Sequence, residues 1–366
     1  MTPPVRAHHV GSLLRPARLR AAYRRHRRGE IGDDAFREAQ DEAICDVVAM
    51  QADLGLRVVT DGELRRVSYW SSFVDAVDGL EVDTARFKFT DGRGDRLAFA
   101  APHATGALRR WGSIAGAELD FLAGVVSPVS ATPKITLPSP STLQFGHAPL
   151  AGRYSSAEDF FTDLAGIYRA EIADLAARGG TLVQLDEAAL AMLCDPNVRR
   201  KVEASGEVPG QLVDDYVAAI AAAGAERPAG VTLALHVCRG NFKGRWMASG
   251  GYEPVAEALF AGSGVDLLLL EFDSARAGGF EALRHVPATM SVVLGLVSTK
   301  TPELERRDEL LRRIEEASRY VDVERLALSP QCGFASTAGG NPVSEDDQRR
   351  KLALVVDVCN EVWGGP

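Results

Sequence analysis

Short apolar runs alternate with longer segments of helical period along the chain. Residues 58–60, 135–137, 182–185, 231–237, 265–271, 291–297 and 326–328 read as strands. Several are unbroken Val/Leu runs, the pattern of parallel strands covered on both faces. Residues 9–12 form an eighth candidate. Helical segments lie between them. Residues 33–54 put Phe36, Ile44, Val47 and Val48 on one stripe, and Gly55 ends it. Ser155-Ser156-Ala157-Glu158 reads as a capping box for a helix with Leu164, Ile167, Ile172 and Leu175 inward. Thr301-Pro302 reads as an N-cap followed by a first-turn proline, and Ser344 opens a last helix running to about Trp363.

This alternation predicts an α/β chain folded as a (β/α)8 TIM barrel. An open doubly wound sheet is the competing architecture. It is disfavoured because no Gly-rich stretch has the spacing of a dinucleotide turn between strand and helix. Residues 78–126 break the rhythm, with short alternating pieces such as Phe87-Lys88-Phe89, and read as an insertion, a hairpin, on the barrel. No linker or internal repeat interrupts residues 1–366, so one domain is expected.

Composition narrows the classes. The chain has 366 residues, 46% hydrophobic and 25% charged, as in ordinary globular proteins. The net charge of −9 speaks against nucleic-acid or anionic-membrane partners. No apolar run reaches transmembrane length, and residues 1–6 lack the apolar centre of a signal peptide, so a cytoplasmic protein is expected. Five cysteines is a sparse, odd number that fits reduced thiols. Cys45 and Cys359 sit among apolar helix residues and read as core, and Cys194 as structural.

The chemistry gathers at strand ends. His236 and Cys238 are two apart and so share one side of a strand. Glu271 ends the next strand, and Cys332 follows a later one. In a parallel barrel the carboxyl ends of the strands form one face, where active sites are built. Two thiolates, an imidazole and a carboxylate suit zinc. Ser12, Glu63, Asp186 and Glu187 also fall at strand ends, a set that fits an amino-bearing substrate.

These motifs together resemble the cobalamin-independent methionine synthase family, specifically its catalytic C-terminal barrel and its short, single-domain members. The matching pieces are residues 9–16, Thr60-Asp61-Gly62-Glu63, Gln184-Leu185-Asp186-Glu187, residues 236–241, Glu271 and residues 329–333. They run in family order over most of the chain. The resemblance implies a catalytic zinc on His236, Cys238, Glu271 and Cys332. It implies a thiol amino acid such as homocysteine, its carboxylate at Ser12 and its ammonium at Glu63 and Asp186. The methyl donor would be a folate, a corrinoid protein or another methylated compound. Two features depart from the family. Its proton-donor histidine falls at Val297, and no folate-stacking aromatic is recognisable near residues 142–145. His9 is the candidate replacement acid. Three other readings accompany this one: alkylation by another electrophile such as an epoxide, a uroporphyrinogen-decarboxylase-like lyase, and a non-catalytic zinc or thiol sensor.

Overall fold

The computed structural model describes residues 5–90, 96–127, 131–146 and 154–366. Residues 1–4 of the expected leaderless terminus and 91–95 of the expected insertion lie outside the described residues. Seven parallel strands form one curled sheet: β1 (Val58–Val59), β2 (Thr132–Pro138), β3 (Leu182–Glu187), β4 (Thr232–Val237), β5 (Leu267–Glu271), β6 (Ser291–Val297) and β7 (Leu326–Pro330). Spatial order follows chain order. The eighth expected strand, residues 9–12, does not form; a single parallel bridge, Ala7 to Leu328, lies just before it. The segment after the bridge reaches the other edge of the sheet. Leu13 N–H donates to Gly62 O (3.0 Å), and Thr60 Oγ1 donates to Gly11 O (2.7 Å).

The strand interiors explain where the polar groups go. Val58, Leu182, Ala234, Leu269, Val293 and Ala327 pack together as a small apolar cluster. Two residues further along the same faces come Gln184, His236 and Glu271, and then Asp186 and Cys238. These three strands, β3, β4 and β5, therefore carry an apolar base and a polar top. The register sets Asp186 opposite His236 and Gly295 opposite Glu271. The opposite faces of the strands bury the main core against the helices.

Local signals place the helices. Ser156 Oγ accepts from Asp159 N–H (3.1 Å) and starts Ala157–Ala177, whose Leu164, Ile172 and Leu175 are buried. Ser344 and Asp347 form a reciprocal capping box at the head of Glu345–Trp363. The expected Thr301-Pro302 start does not nucleate a helix. Helix Arg307–Ala317 begins later, because Glu305 is drawn to Ser298 N–H (2.8 Å) and Lys351 Nζ (3.0 Å). Cys45 is exposed rather than core, since Ile44, Val47 and Val48 take the buried stripe of Asp33–Asp53. Cys194 and Cys359 are buried. No described helix is long and apolar enough to cross a membrane.

The irregular region resolves into two parts. Val77–Thr84 and Ala100–Arg110 form an antiparallel hairpin. Helix Gly116–Val126 follows and packs against β2. The fully buried Glu171 fastens the hairpin's base. Its carboxylate accepts from Arg110 Nε and Nη2 (2.9 and 2.7 Å) and from the N–H groups of Ile114 and Ala115 (2.9 and 2.8 Å). Removing it leaves two buried N–H donors unmatched and Arg110 with only its 3.4 Å contact to Asp174. Glu171→Ala is expected to cost about 3–5 kcal/mol in urea unfolding. A loss under about 1 kcal/mol would show that the hairpin is held elsewhere.

Candidate active site

A cavity of about 550 Å³ opens at the carboxyl end of the sheet. Its floor contains His236, Cys238 and Cys332, whose ligand atoms all lie within 4.8 Å of one another. Cys238 and Cys332 Sγ are 3.3 Å apart. The Cys332 thiol lies well below its usual pKa, chiefly because Cys238 donates to it, with the nearby His236 adding to the effect against burial. Cys238, on the giving side of that hydrogen bond, is pushed well up. His236 Nδ1 lies 3.3 Å from Leu269 O, which selects the Nδ1–H tautomer. Its Nε2 is buried with no hydrogen-bond partner. Burial pushes this imidazole down, but the adjacent Cys332 sulfur outweighs it and leaves the pKa raised. One nitrogen and two sulfurs gathered this closely fit a borderline-soft divalent ion such as zinc.

The loop that carries Cys332 is clamped from both sides. Gln331 N–H donates to Val297 O (2.8 Å), and Gln331 Oε1 accepts from Thr299 N–H (3.0 Å). Asn241 Nδ2 donates to Gly333 O (2.8 Å). A Cβ at residue 333 would sit 2.0 Å from Ser12 Oγ, so a side chain there would force Ser12 to turn. Ser12 lines the cavity beside Cys332.

Glu271 stands beside the trio and outside it. Oε2 accepts from Arg239 N–H (2.9 Å), and Oε1 meets Arg276 and Lys300 Nζ (3.3 Å for the lysine). Burial alone would raise its pKa, but Lys300 and Arg276 hold it at about 2. It is thus ionised, and its charge is felt at Cys238.

Glu63 and Asp186 face the same cavity. Thr136 Oγ1 donates to Glu63 Oε1 (3.0 Å), and Gln184 Nε2 donates to Asp186 Oδ1 (2.7 Å). Glu63 adopts φ 56°, a left-handed conformation that costs about 1–3 kcal/mol for a side chain of this kind. The surroundings impose it: Asp61 Oδ1 accepts from Glu63 N–H (2.8 Å), and Arg15 donates to Glu63 O (3.1 Å). Burial, with repulsion from Glu63, raises Asp186 to about 7. Burial raises Glu63 as well. Two carboxylates that resist ionisation side by side form a receptor for a cation.

His9 does not reach this cavity. Val10 and Ser12 line it, and alternation turns His9 the other way, toward Gln51 and Val58. Burial and the Lys134 charge hold its pKa well below the usual value, which disfavours its imidazolium form. The structure thus separates His9 from the other candidates.

Residues 6–360 match the family model described as the cobalamin-independent synthase catalytic domain. The chain belongs to this family. Among its curated relatives are the uncharacterized proteins YxjH and YxjG of Bacillus subtilis, 38% and 39% identical over 98% and 99% of the chain and 95% of each relative. A Pyrococcus abyssi methionine synthase is 25% identical over 89% of this chain and 85% of its own. Among solved structures, a Listeria monocytogenes protein assigned to the vitamin-B12-independent methionine synthases superposes with TM-score 0.79. It is 30% identical and covers 100% of this chain and 99% of its own.

Within this synthase-family site, several positions escape a reading of strand ends. Arg66 donates to Thr136 Oγ1 (2.9 Å) and so orients the group that holds Glu63. Thr136 lies mid-strand, where sequence gives no signal. Asn241 and Gln331 fall inside recognisable motifs, yet their clamping of the Cys332 loop is visible only in the fold. Tyr69 and Trp70 line the cavity and stand out in sequence only as an aromatic pair after Glu63.

Proposed function

We propose that this protein is a zinc-dependent thiol methyltransferase that converts homocysteine, or a related amino thiol, to its methyl thioether. The observation that carries the reading is the convergence of His236, Cys238 and Cys332 on the floor of a cavity that also holds two raised-pKa carboxylates. In this reading zinc sits on those three residues with Glu271 as the fourth donor. The bound ion would keep a substrate sulfur as thiolate near neutral pH. Glu271 suits a fourth donor that exchanges, being ionised and already shared with Arg276 and Lys300. The curled sheet, with residues 7–13 as its eighth stave, is read as a (β/α)8 barrel of one domain carrying the hairpin as an insertion.

The protein's own groups do the rest. Ser12 takes the substrate carboxylate, and Glu63 and Asp186 take its ammonium, which relieves their mutual repulsion. The hairpin residues 98–102 line the cavity and shield the reacting atoms from water. Purified protein is expected to contain stoichiometric zinc and to methylate homocysteine from one of several donors, followed as thioether by mass spectrometry. Protein without zinc after purification and zinc repletion, or full activity after its removal, would overturn the reading.

A further inference from the structure

Apart from His236, Cys238 and Cys332, the lining of the same cavity is rich in aromatic side chains. Tyr69, Trp70, Phe87, Phe99, Phe145 and Phe242 line it. Phe87 stacks on Phe145 with ring centroids 4.8 Å apart and planes at 22°. The charged groups on the same walls are acidic: Glu63, Asp186 and Glu187. Among the described residues lining the cavity none is Lys or Arg, and the only imidazole is that of His236. The nearest guanidinium to this stack, Arg86, does not line the cavity. It lies 4.9 and 5.4 Å from the Phe87 and Phe145 ring centroids, and Glu207 balances its charge.

We propose that this aromatic lining holds the methyl donor as an onium cation, a methyl sulfonium or a quaternary ammonium. The inference rests on the thiol-methylation reading for its chemistry but not for its binding site. Ring faces attract a cation through their quadrupole, and no Lys or Arg among the described lining residues opposes it. An anionic donor meets no counter-charge among these residues. In the transfer step the thiolate sulfur attacks the methyl carbon and forms the new S–C bond. The donor's C–S or C–N bond breaks, and its electron pair stays with the departing atom. The donor leaves as a neutral thioether or tertiary amine, and no proton changes place. That balance suits walls that offer no cationic acid to protonate a leaving group.

Calorimetric titration of the full chain with trimethylsulfonium, tetramethylammonium and the neutral shape analogue tert-butanol tests the proposal. Both cations are expected to bind at least about tenfold more tightly than tert-butanol. Phe87→Leu should weaken the cations about tenfold and tert-butanol by no more than about twofold, while Phe87→Tyr, which keeps a ring face at the same position, retains most of the cation affinity. Tighter binding of one cation assigns the donor to the sulfonium or to the ammonium class. Equal affinity for cation and neutral analogue, no cation binding, or indifference to Phe87→Leu would overturn the proposal. Failure of the function reading looks different: the cations bind, the ring dependence holds, and no thiol is methylated from any donor.

Discussion

Serine in place of Cys332 is expected to empty the protein of zinc and to lower thiol methylation by at least about 100-fold while leaving the fold intact. The sulfur of Cys332 lies 3.3 Å from Cys238 and is the more thiolate-like of the pair. A hydroxyl does not deprotonate near neutral pH and is a poorer partner for a borderline-soft ion. Its loss leaves His236 and Cys238 with no second sulfur. The loop itself does not depend on that atom, because Gln331, Asn241 and Gly333 hold it through the bonds described above. Urea midpoints of metal-free wild type and variant should therefore agree within about 1 kcal/mol. Elemental analysis reads the metal directly. Full zinc occupancy in the variant would remove Cys332 from the ligand set.

The second large effect concerns the ammonium subsite. Asp186→Asn is expected to raise KM for the amino thiol by about 30-fold or more, because a buried cation loses half of its counter-charge. A thiol lacking the amino group should bind wild type and variant alike, which separates charge loss from general damage. The same carboxylate gives the site a pH signature. A bound ammonium requires the ionised form, and Asp186 in the ligand-free site titrates at about 7. KM in the wild type should therefore rise as pH falls below about 7, by up to tenfold per unit. Stability of the ligand-free protein moves the opposite way. Asp186 is protonated more readily folded than unfolded, so folding takes up a proton between about pH 7 and pH 4, and stability grows as pH falls through that window. In Asp186→Asn that share is lost, while Glu63, Asp61, Glu187 and Asp75, whose pKa values are also raised, keep theirs. A KM that is flat from pH 8 to pH 6 would place the ammonium elsewhere.

The site was legible where chemistry coincides with strand ends. His236 and Cys238 share a face because their spacing matches the two-residue repeat, and Cys332 joins them because parallel strands end on one side. Glu271 was placed near them by the same rule, but its rotamer follows Arg276 and Lys300, two cations from separate loops. His9 shows the limit of the rule. It sits at an expected strand end beside Ser12, and one step of alternation turns it away from the cavity. Thr301-Pro302 shows the same limit for helices, where a sound local start signal yields to the longer-range pull of Lys351 on Glu305.

By itself the sequence determined the order of strands and helices, the parallel sheet, the sulfur and nitrogen donors and the strand-end carboxylates. Each of these depends on periodicity or on neighbours close along the chain. Tertiary structure alone decided the tether of Glu271 to Arg276 and Lys300 and the gathering of Tyr69, Trp70, Phe87, Phe99, Phe145 and Phe242 around one cavity. Those depend on groups distant in sequence whose positions are fixed by packing and by competition for hydrogen bonds and charge, and neither can be read one residue at a time.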